Sequence, residues 1–184
     1  MSHQFSRIMF TQDVKDTQSD FGSREKQALF TKRVGPNSSL GEAEAEFIAK
    51  RDTFYMATVN QDGWPYVQHR GGPAGFLRVL GANQLAYADF RGNTQLVSMG
   101  NSVGNDRVSM ILMDYPNRRR LKLLGHFRFE RADAASADLL EKVALPGYRG
   151  RIERIVHIDV VAFDWNCPQH ITRRYSESEF TALA

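Results

Sequence analysis

Thr53-Phe54-Tyr55-Met56-Ala57-Thr58-Val59, then Asp62-Gly63, then Pro65-Tyr66-Val67-Gln68-His69-Arg70 is the stretch whose reading decides the fold. Helical spacing upstream gives way here to a period of about two, with β-branched and aromatic residues on either side of an Asp-Gly pair. Asp-Gly tolerates the positive φ of a tight turn, so the segment predicts an antiparallel hairpin. The same strand, turn, strand pattern recurs in Phe76 to Leu80, Gly81-Ala82-Asn83 and Leu85 to Asp89. A short helical run, Thr94 to Met99, precedes a strand at Arg107 to Met113, the turn Asp114-Tyr115-Pro116-Asn117 and a long strand at Arg119 to Arg131. A helix at Ala134 to Val143, a loop through Pro146-Gly147, a strand at Ile155 to Phe163 and a capping box at Ser176-Glu177-Ser178-Glu179 complete the chain. Upstream, Ser23 to Val34 reads as a helix stopped by Gly35-Pro36, and Ser39-Leu40-Gly41-Glu42 opens a second that ends near Arg51. About six strands joined by hairpin turns, with peripheral helices, predict a mainly β, antiparallel barrel over a doubly wound parallel sheet. Residues 1–52 are expected to form a helical extension packed on a barrel domain of residues 53–184. The edges of so small a barrel need covering, and a two-fold dimer covers both copies at once.

The 184 residues are 42% hydrophobic and 11% aromatic, which suits one folded domain. A chain of that length buries roughly 70% of its unfolded surface. There are 24 Lys and Arg against 21 Asp and Glu, a formal charge of +3 that is too mild to imply nucleic-acid binding. No run approaches the ~18 apolar residues of a membrane span, and Met1 to Asp20 lacks the pattern of a signal peptide. The single cysteine, Cys167, forbids an internal disulfide and fits a reducing, cytoplasmic setting. The five histidines lie without ligand spacing, so no metal is expected.

Four clusters carry hydrogen-bonding or charged side chains. Asp89-Phe90-Arg91-Gly92-Asn93-Thr94 sits where a strand ends and a helix begins; it reads as a phosphate cradle or as a capped helix beside a solvated arginine. In Gln68-His69-Arg70, alternation sends Gln68 and Arg70 to one face and His69 to the other. Arg118-Arg119-Arg120 starts a strand and reads as a charge-protected edge or as a binding patch, with no interleaved aromatic side chain to suggest RNA. Asp164-Trp165-Asn166-Cys167-Pro168-Gln169-His170-Ile171-Thr172-Arg173-Arg174 is a polar loop after a strand.

Taken in order, these segments resemble the FMN-binding split-barrel family related to pyridoxamine 5′-phosphate oxidase. The likeness rests on the first hairpin, Pro65-Tyr66-Val67, Leu85-Ala86-Tyr87-Ala88-Asp89 before Arg91-Gly92-Asn93, Asn105-Asp106-Arg107-Val108-Ser109, and Leu123-Leu124-Gly125. Asp114 to Lys122 and Asn166 to His170 resemble its less characterised branch. The resemblance implies a homodimer with a flavin site built from both copies. By position, Gln68, His69 and Arg70 would line the flavin, with Tyr87 and Ala88 beside it, and Arg91, Gly92 and Asn93 would hold the phosphate. Arg91 would then supply much of the phosphate-binding charge. Arg120 falls where the oxidases place a flavin-contacting glutamine, with Arg119 its neighbour on the opposite face; Arg118, Arg119 and Arg120 are all candidate cofactor-binding residues, and His170 and Arg173 fall near a stretch that touches substrate and flavin.

One departure bears on the substrate. The oxidases place a lysine for the vitamin phosphate where this chain has Gly71-Gly72-Pro73, which supplies no charge and reads as open space beside the flavin. The expectation is an FMN-dependent oxidoreductase that takes a small-molecule electron donor such as NAD(P)H and does not oxidise B6 vitamers. His170 is the candidate proton donor, and Arg118 or Arg120 would offset charge developing at the flavin edge. The alternative on the same fold is a non-catalytic flavin or haem sensor or storage module, for which His69, His157 and His170 are the possible axial ligands.

Overall fold

The computed structural model describes residues 3–33, 35–92, 94–165 and 168–182. Expectations placed on Val34, Asn93, Asn166 and Cys167 lie outside the described residues. Four helices come first: α1 (Gln4–Met9), α2 (Gln12–Asp20), α3 (Arg24–Arg33) and α4 (Glu42–Ala49). Then follow β1 (Thr53–Val59), β2 (Pro65–Gly71), β3 (Arg78–Gly81), β4 (Gln84–Phe90), α5 (Val97–Gly104), β5 (Arg107–Asp114) and β6 (Arg119–Arg131). The chain closes with α6 (Ala137–Val143), β7 (Ile152–Trp165) and α7 (Glu177–Thr181).

The strands form one sheet in the order β2-β1-β5-β6-β7-β4-β3, every neighbouring pair antiparallel. β2 and β4 stand five places apart, about 24 Å in a flat sheet at the usual strand spacing. Yet Arg70 of β2 lies 3.8 Å from Asp89 of β4. The sheet therefore curls until β2 and β4 meet through side chains while their backbones stay unpaired, which makes it a split barrel of seven strands. A β-bulge between Leu124 and Gly125 assists the curl. A Cβ on Gly125 would sit 2.7 Å from the Asp159 carbonyl oxygen, so only glycine fits there.

Alternation along the strands fills the interior. Phe54, Met56, Met110, Leu112, Leu121, Leu123 and Ile158 are buried in one continuous core. A smaller core of Ala86, Ala88, Val143 and Ile155 with Leu139 and Leu140 lies where α6 covers β4 and β7. α4 plugs one end of the barrel: Trp165 donates from Nε1 to Glu44 at 2.7 Å and meets the Phe47 ring edge-on at 4.8 Å. No helix of the described residues is long and apolar enough to cross a membrane.

Several sequence expectations shift. α4 starts at Glu42 with Gly41 as its cap, whose N–H donates to Glu44 at 2.9 Å, and Ser39 bonds Asn83 instead of capping a helix. α5 begins at Val97, later than the predicted Thr94. β7 begins at Ile152, earlier than Ile155. β6 is flanked by β5 and β7, so the arginines at its start guard no free edge. Gly72 opens no space: a Cβ there would stand 3.0 Å from the Phe76 ring, which fills the position. α1 and α2 are additions to the predicted elements, α2 being capped by Thr11 and burying none of its residues.

α1 is held by a buried histidine. The Asn37 amide donates to His3 Nε2 at 2.9 Å and also to the Phe163 carbonyl of β7. Burial pushes the His3 pKa down, opposed by Asp164 and aided by Lys122. The fold thus favours neutral His3, and the anchoring is complete above the unfolded value near 6.5 and is lost as pH falls through the lower folded one. Hydrogen exchange in α1, corrected for intrinsic rates, is expected to rise only as pH falls below about 6.5. His3→Gln should abolish that dependence, and an unchanged dependence in the variant would refute the role.

Candidate functional site

Where β2 and β4 meet, two guanidiniums converge on one carboxylate. Arg154 of β7 donates from Nε to Asp89 Oδ2 at 2.9 Å, and Arg70 Nη1 approaches Asp89 Oδ1 at 3.8 Å. Register explains the first pair, since Asp89 and Arg154 are directly opposed in the β4–β7 ladder. The second crosses the seam between β2 and β4. Arg70 also donates from Nη2 to the Ser98 hydroxyl at 3.4 Å, and Ser98 lies in the first turn of α5. All three ionic side chains are mostly buried, with 17% exposure for each arginine and 12% for Asp89. Arg154 also meets Glu153 at 3.2 Å, so two guanidiniums face two carboxylates, and an incoming anion would compete with these carboxylates for their donors.

These groups line a cleft of about 250 Å³ with Gln68, Gly92 and Ser98. α5 begins in it with no capping side chain on Leu96, so the positive end of the helix adds to the field. The backbone approaches α5 through positive φ at Thr94 (58°) and Leu96 (56°), a geometry that costs non-glycine residues about 1–3 kcal/mol each. Such strain collects where a loop must present backbone donors to a ligand. Among the described residues, Arg70 Nε and the Tyr87 hydroxyl are buried with no hydrogen-bond partner. Arg70 lies close enough to lower the Tyr87 pKa, though not in hydrogen-bonding geometry, and burial prevails and pushes that pKa well up. Tyr87 therefore remains a neutral phenol. Two unsatisfied donors at the seam suit an acceptor-rich ligand.

The expected site residues divide into two groups. Gln68, Arg70 and Gly92 line the cleft, and His69, Tyr87 and Ala88 line an adjoining cavity of about 210 Å³ that shares Arg70 and Asp89. Arg91 stands outside the cleft lining, 69% exposed at its side chain and 3.7 Å from Glu153. The His69 ring stands 5.6 Å from that of Tyr55, its neighbour across the β1–β2 ladder. Arg120 faces outward, because it opposes Met113 while the inward row on β6 is Leu121 and Leu123. From β2 to β6 is about 14 Å across the sheet. Arg120 keeps its Nε buried without a partner among the described residues. Arg118 occupies the β5–β6 turn with φ 54°, and Arg119 stacks over Trp165 at 4.7 Å. Arg174 covers Tyr115 of that turn at 5.2 Å, which draws the tail toward it. His170, with φ 63°, and Arg173 are exposed in the same tail.

Within one chain, then, none of the three turn arginines lines the cleft. Arg154 and Ser98 escaped sequence reading. The charged run Arg149-Gly150-Arg151-Ile152-Glu153-Arg154 leading into a strand is the signal that marks the first. Among the described residues no three His, Cys, Asp or Glu side chains are grouped to hold a metal ion.

The sequence profile of the family described as pyridoxamine 5′-phosphate oxidase matches residues 40–155, which contain every cleft residue named above. Among solved structures, HupZ of Group A Streptococcus is similar at a TM-score of 0.55 and 15% identity, over 74% of this chain and 99% of that one. A protein of Lactobacillus delbrueckii, provisionally assigned as a pyridoxamine 5′-phosphate oxidase, is similar at 0.52 and 19% identity, over 68% and 93%. At these identities the likeness is one of fold. No curated protein matches the chain.

Proposed function

Because the chain belongs to the pyridoxamine 5′-phosphate oxidase family, we propose that it binds FMN and acts as a cytoplasmic, homodimeric oxidoreductase. The observation that carries the reading is the seam cleft, in which Arg70 and Arg154 share Asp89 beside the uncapped start of α5. That donor set fits a phosphate monoester: two guanidiniums, a hydroxyl and helix N–H groups. Bound there, FMN would supply hydride and electron transfer, chemistry that the side chains lack.

The residues of this chain bind, orient and tune. Arg70 and Arg154 hold the phosphate charge, Ser98 fixes the Arg70 guanidinium, and Gln68 lines the neighbouring wall. Arg118 and Arg120 would come from the partner copy, since neither lines the cleft of its own chain. The outer face of β2 and β1 supports this, with Trp64 73%, Val67 62% and Tyr55 36% exposed beside Ile111 and Met113. Such a face suits burial against a second copy. His170 of the tail would donate a proton to substrate. A B6 vitamer is disfavoured as substrate, because Gly71-Gly72-Pro73 brings no cation and Phe76 occupies the space beside it.

Anaerobic titration of the FMN-loaded protein with NADH and NADPH tests the catalytic reading. Bleaching of the flavin by either donor, with oxidation of pyridoxine 5′-phosphate below about 1 per second, is the expected result. A flavin that resists both donors would leave a non-catalytic binder, and a Soret band in the purified protein would identify a haem module. Sedimentation should give a dimer; a monomer that still holds FMN would contradict the shared site.

A further inference from the structure

Beside the phosphate cleft, and sharing Arg70, Asp89 and Phe90 with it, lies the smaller cavity of about 210 Å³. Phe76, Tyr87, Phe90 and Tyr148 wall it. Phe76 and Tyr87 meet edge-on at 6.2 Å, and Tyr148, 47% exposed, leans on Phe90 at 4.7 Å. A cavity of roughly 150 Å³ is enough to hold benzene, so this one takes a single six-membered ring with a small substituent and is too small for the three fused rings of a flavin.

The polar groups of the wall fix that substituent. Tyr87 is 2% exposed, and its hydroxyl has no partner among the described residues. Burial keeps the phenol protonated, so it donates. Asp89 accepts from Arg154 through Oδ2, while Oδ1 meets Arg70 only at 3.8 Å and keeps acceptor capacity. Charge is already matched, Arg70 against Asp89 and Arg154 against Asp89 and Glu153. The wall thus offers a donor, an acceptor and little net charge, which suits a neutral group that carries both a carbonyl oxygen and an N–H. A carboxylate would face Asp89, and a hydrocarbon would leave the hydroxyl bare.

A planar ring bearing a primary carboxamide meets these conditions. We infer that this cavity receives the nicotinamide ring of NAD(P)H, its amide oxygen accepting from Tyr87 and its amide N–H donating to Asp89. The inference rests on the flavin reading above for its choice of electron donor and gives that donor a place in the fold. The orphaned hydroxyl carries it, because phenylalanine would fill the same space without burying an unpaired donor.

Ligand-observed NMR on the full chain, with and without FMN, tests it with benzamide and benzoate, which differ in charge and in the N–H. Benzamide should bind at least about fivefold more tightly than benzoate, and NADH should displace it from the flavin-free chain. Tyr87→Phe should weaken benzamide about threefold to tenfold, change FMN affinity less than about twofold, and melt no lower than the parent, since a partnerless hydroxyl does not stabilise the ligand-free fold. Tyr148→Ala, at a half-exposed ring, should weaken benzamide with the melting temperature nearly unchanged. Failure of benzamide to bind, equal binding of benzoate, no displacement by NADH, or a Tyr87→Phe loss shared equally by FMN would overturn the inference and leave the flavin reading standing. Benzamide binding and NADH displacement in a chain that takes up no FMN would support the cavity assignment and overturn the flavin reading instead.

Discussion

Arg70→Ala is expected to weaken FMN binding about a hundredfold and to leave riboflavin binding nearly unchanged. The guanidinium is mostly buried, oriented by Asp89 at 3.8 Å and Ser98 at 3.4 Å, and has its Nε unsatisfied. A charge-assisted hydrogen bond to a phosphate contributes about 1.5–3 kcal/mol, and a factor of one hundred corresponds to ~2.7 kcal/mol. Riboflavin has no phosphate and so lacks the group that Arg70 recognises. The Asp89 carboxylate left behind remains paired with Arg154, so the cleft should keep its shape. Arg91→Ala provides the contrast. Its side chain is 69% exposed and turned toward Glu153, and its loss should change FMN affinity less than about threefold, since solvent screens a rim charge. Calorimetry with both flavins checks the pair. Equal losses for FMN and riboflavin in Arg70→Ala would make Arg70 a structural strut of the seam.

The largest stability effect is expected at the centre of the sheet. Leu123 has no solvent exposure and sits on β6 between Met110 of β5 and Phe163 of β7. Both flanking ladders pin the backbone, so the walls cannot collapse into the space that Leu123→Ala would leave. Such truncations cost about 2–5 kcal/mol. For a domain of this size that lowers Tm by roughly 6–15 °C. Lys142→Ala removes only an exposed helical ion pair with Asp138 and should stay within about 0.5 kcal/mol. Denaturant melts that place both variants together would mean that β6 is not the centre of the core.

The legible parts of the sequence were those fixed by local chemistry. Asp62-Gly63 marked the β1–β2 hairpin, and the long alternation of Arg119 to Arg131 coincided with β6. Alternation puts Arg70 in the cleft without His69, although both line the adjoining cavity. What escaped depends on contacts distant in sequence. Arg154 joins the cleft through register with Asp89, 65 residues away, and no local pattern announces that pairing. The seam itself is a closure of side chains between strands that never share a backbone bond. α1 and α2 were missed because α2 buries nothing, which leaves it no apolar period to read. Arg91 looked the better phosphate ligand beside Gly92, yet its backbone N–H bonds the Arg151 carbonyl at 3.0 Å and its side chain turns outward.

The central claim is a flavin site that recognises phosphate at the seam of the barrel. Titrating the purified, flavin-free chain in parallel with FMN and with riboflavin tests it most directly. About hundredfold tighter binding of FMN, lost on raising inorganic phosphate to compete for the cleft, is the result this account predicts. Equal binding of the two flavins, indifferent to phosphate, would contradict it.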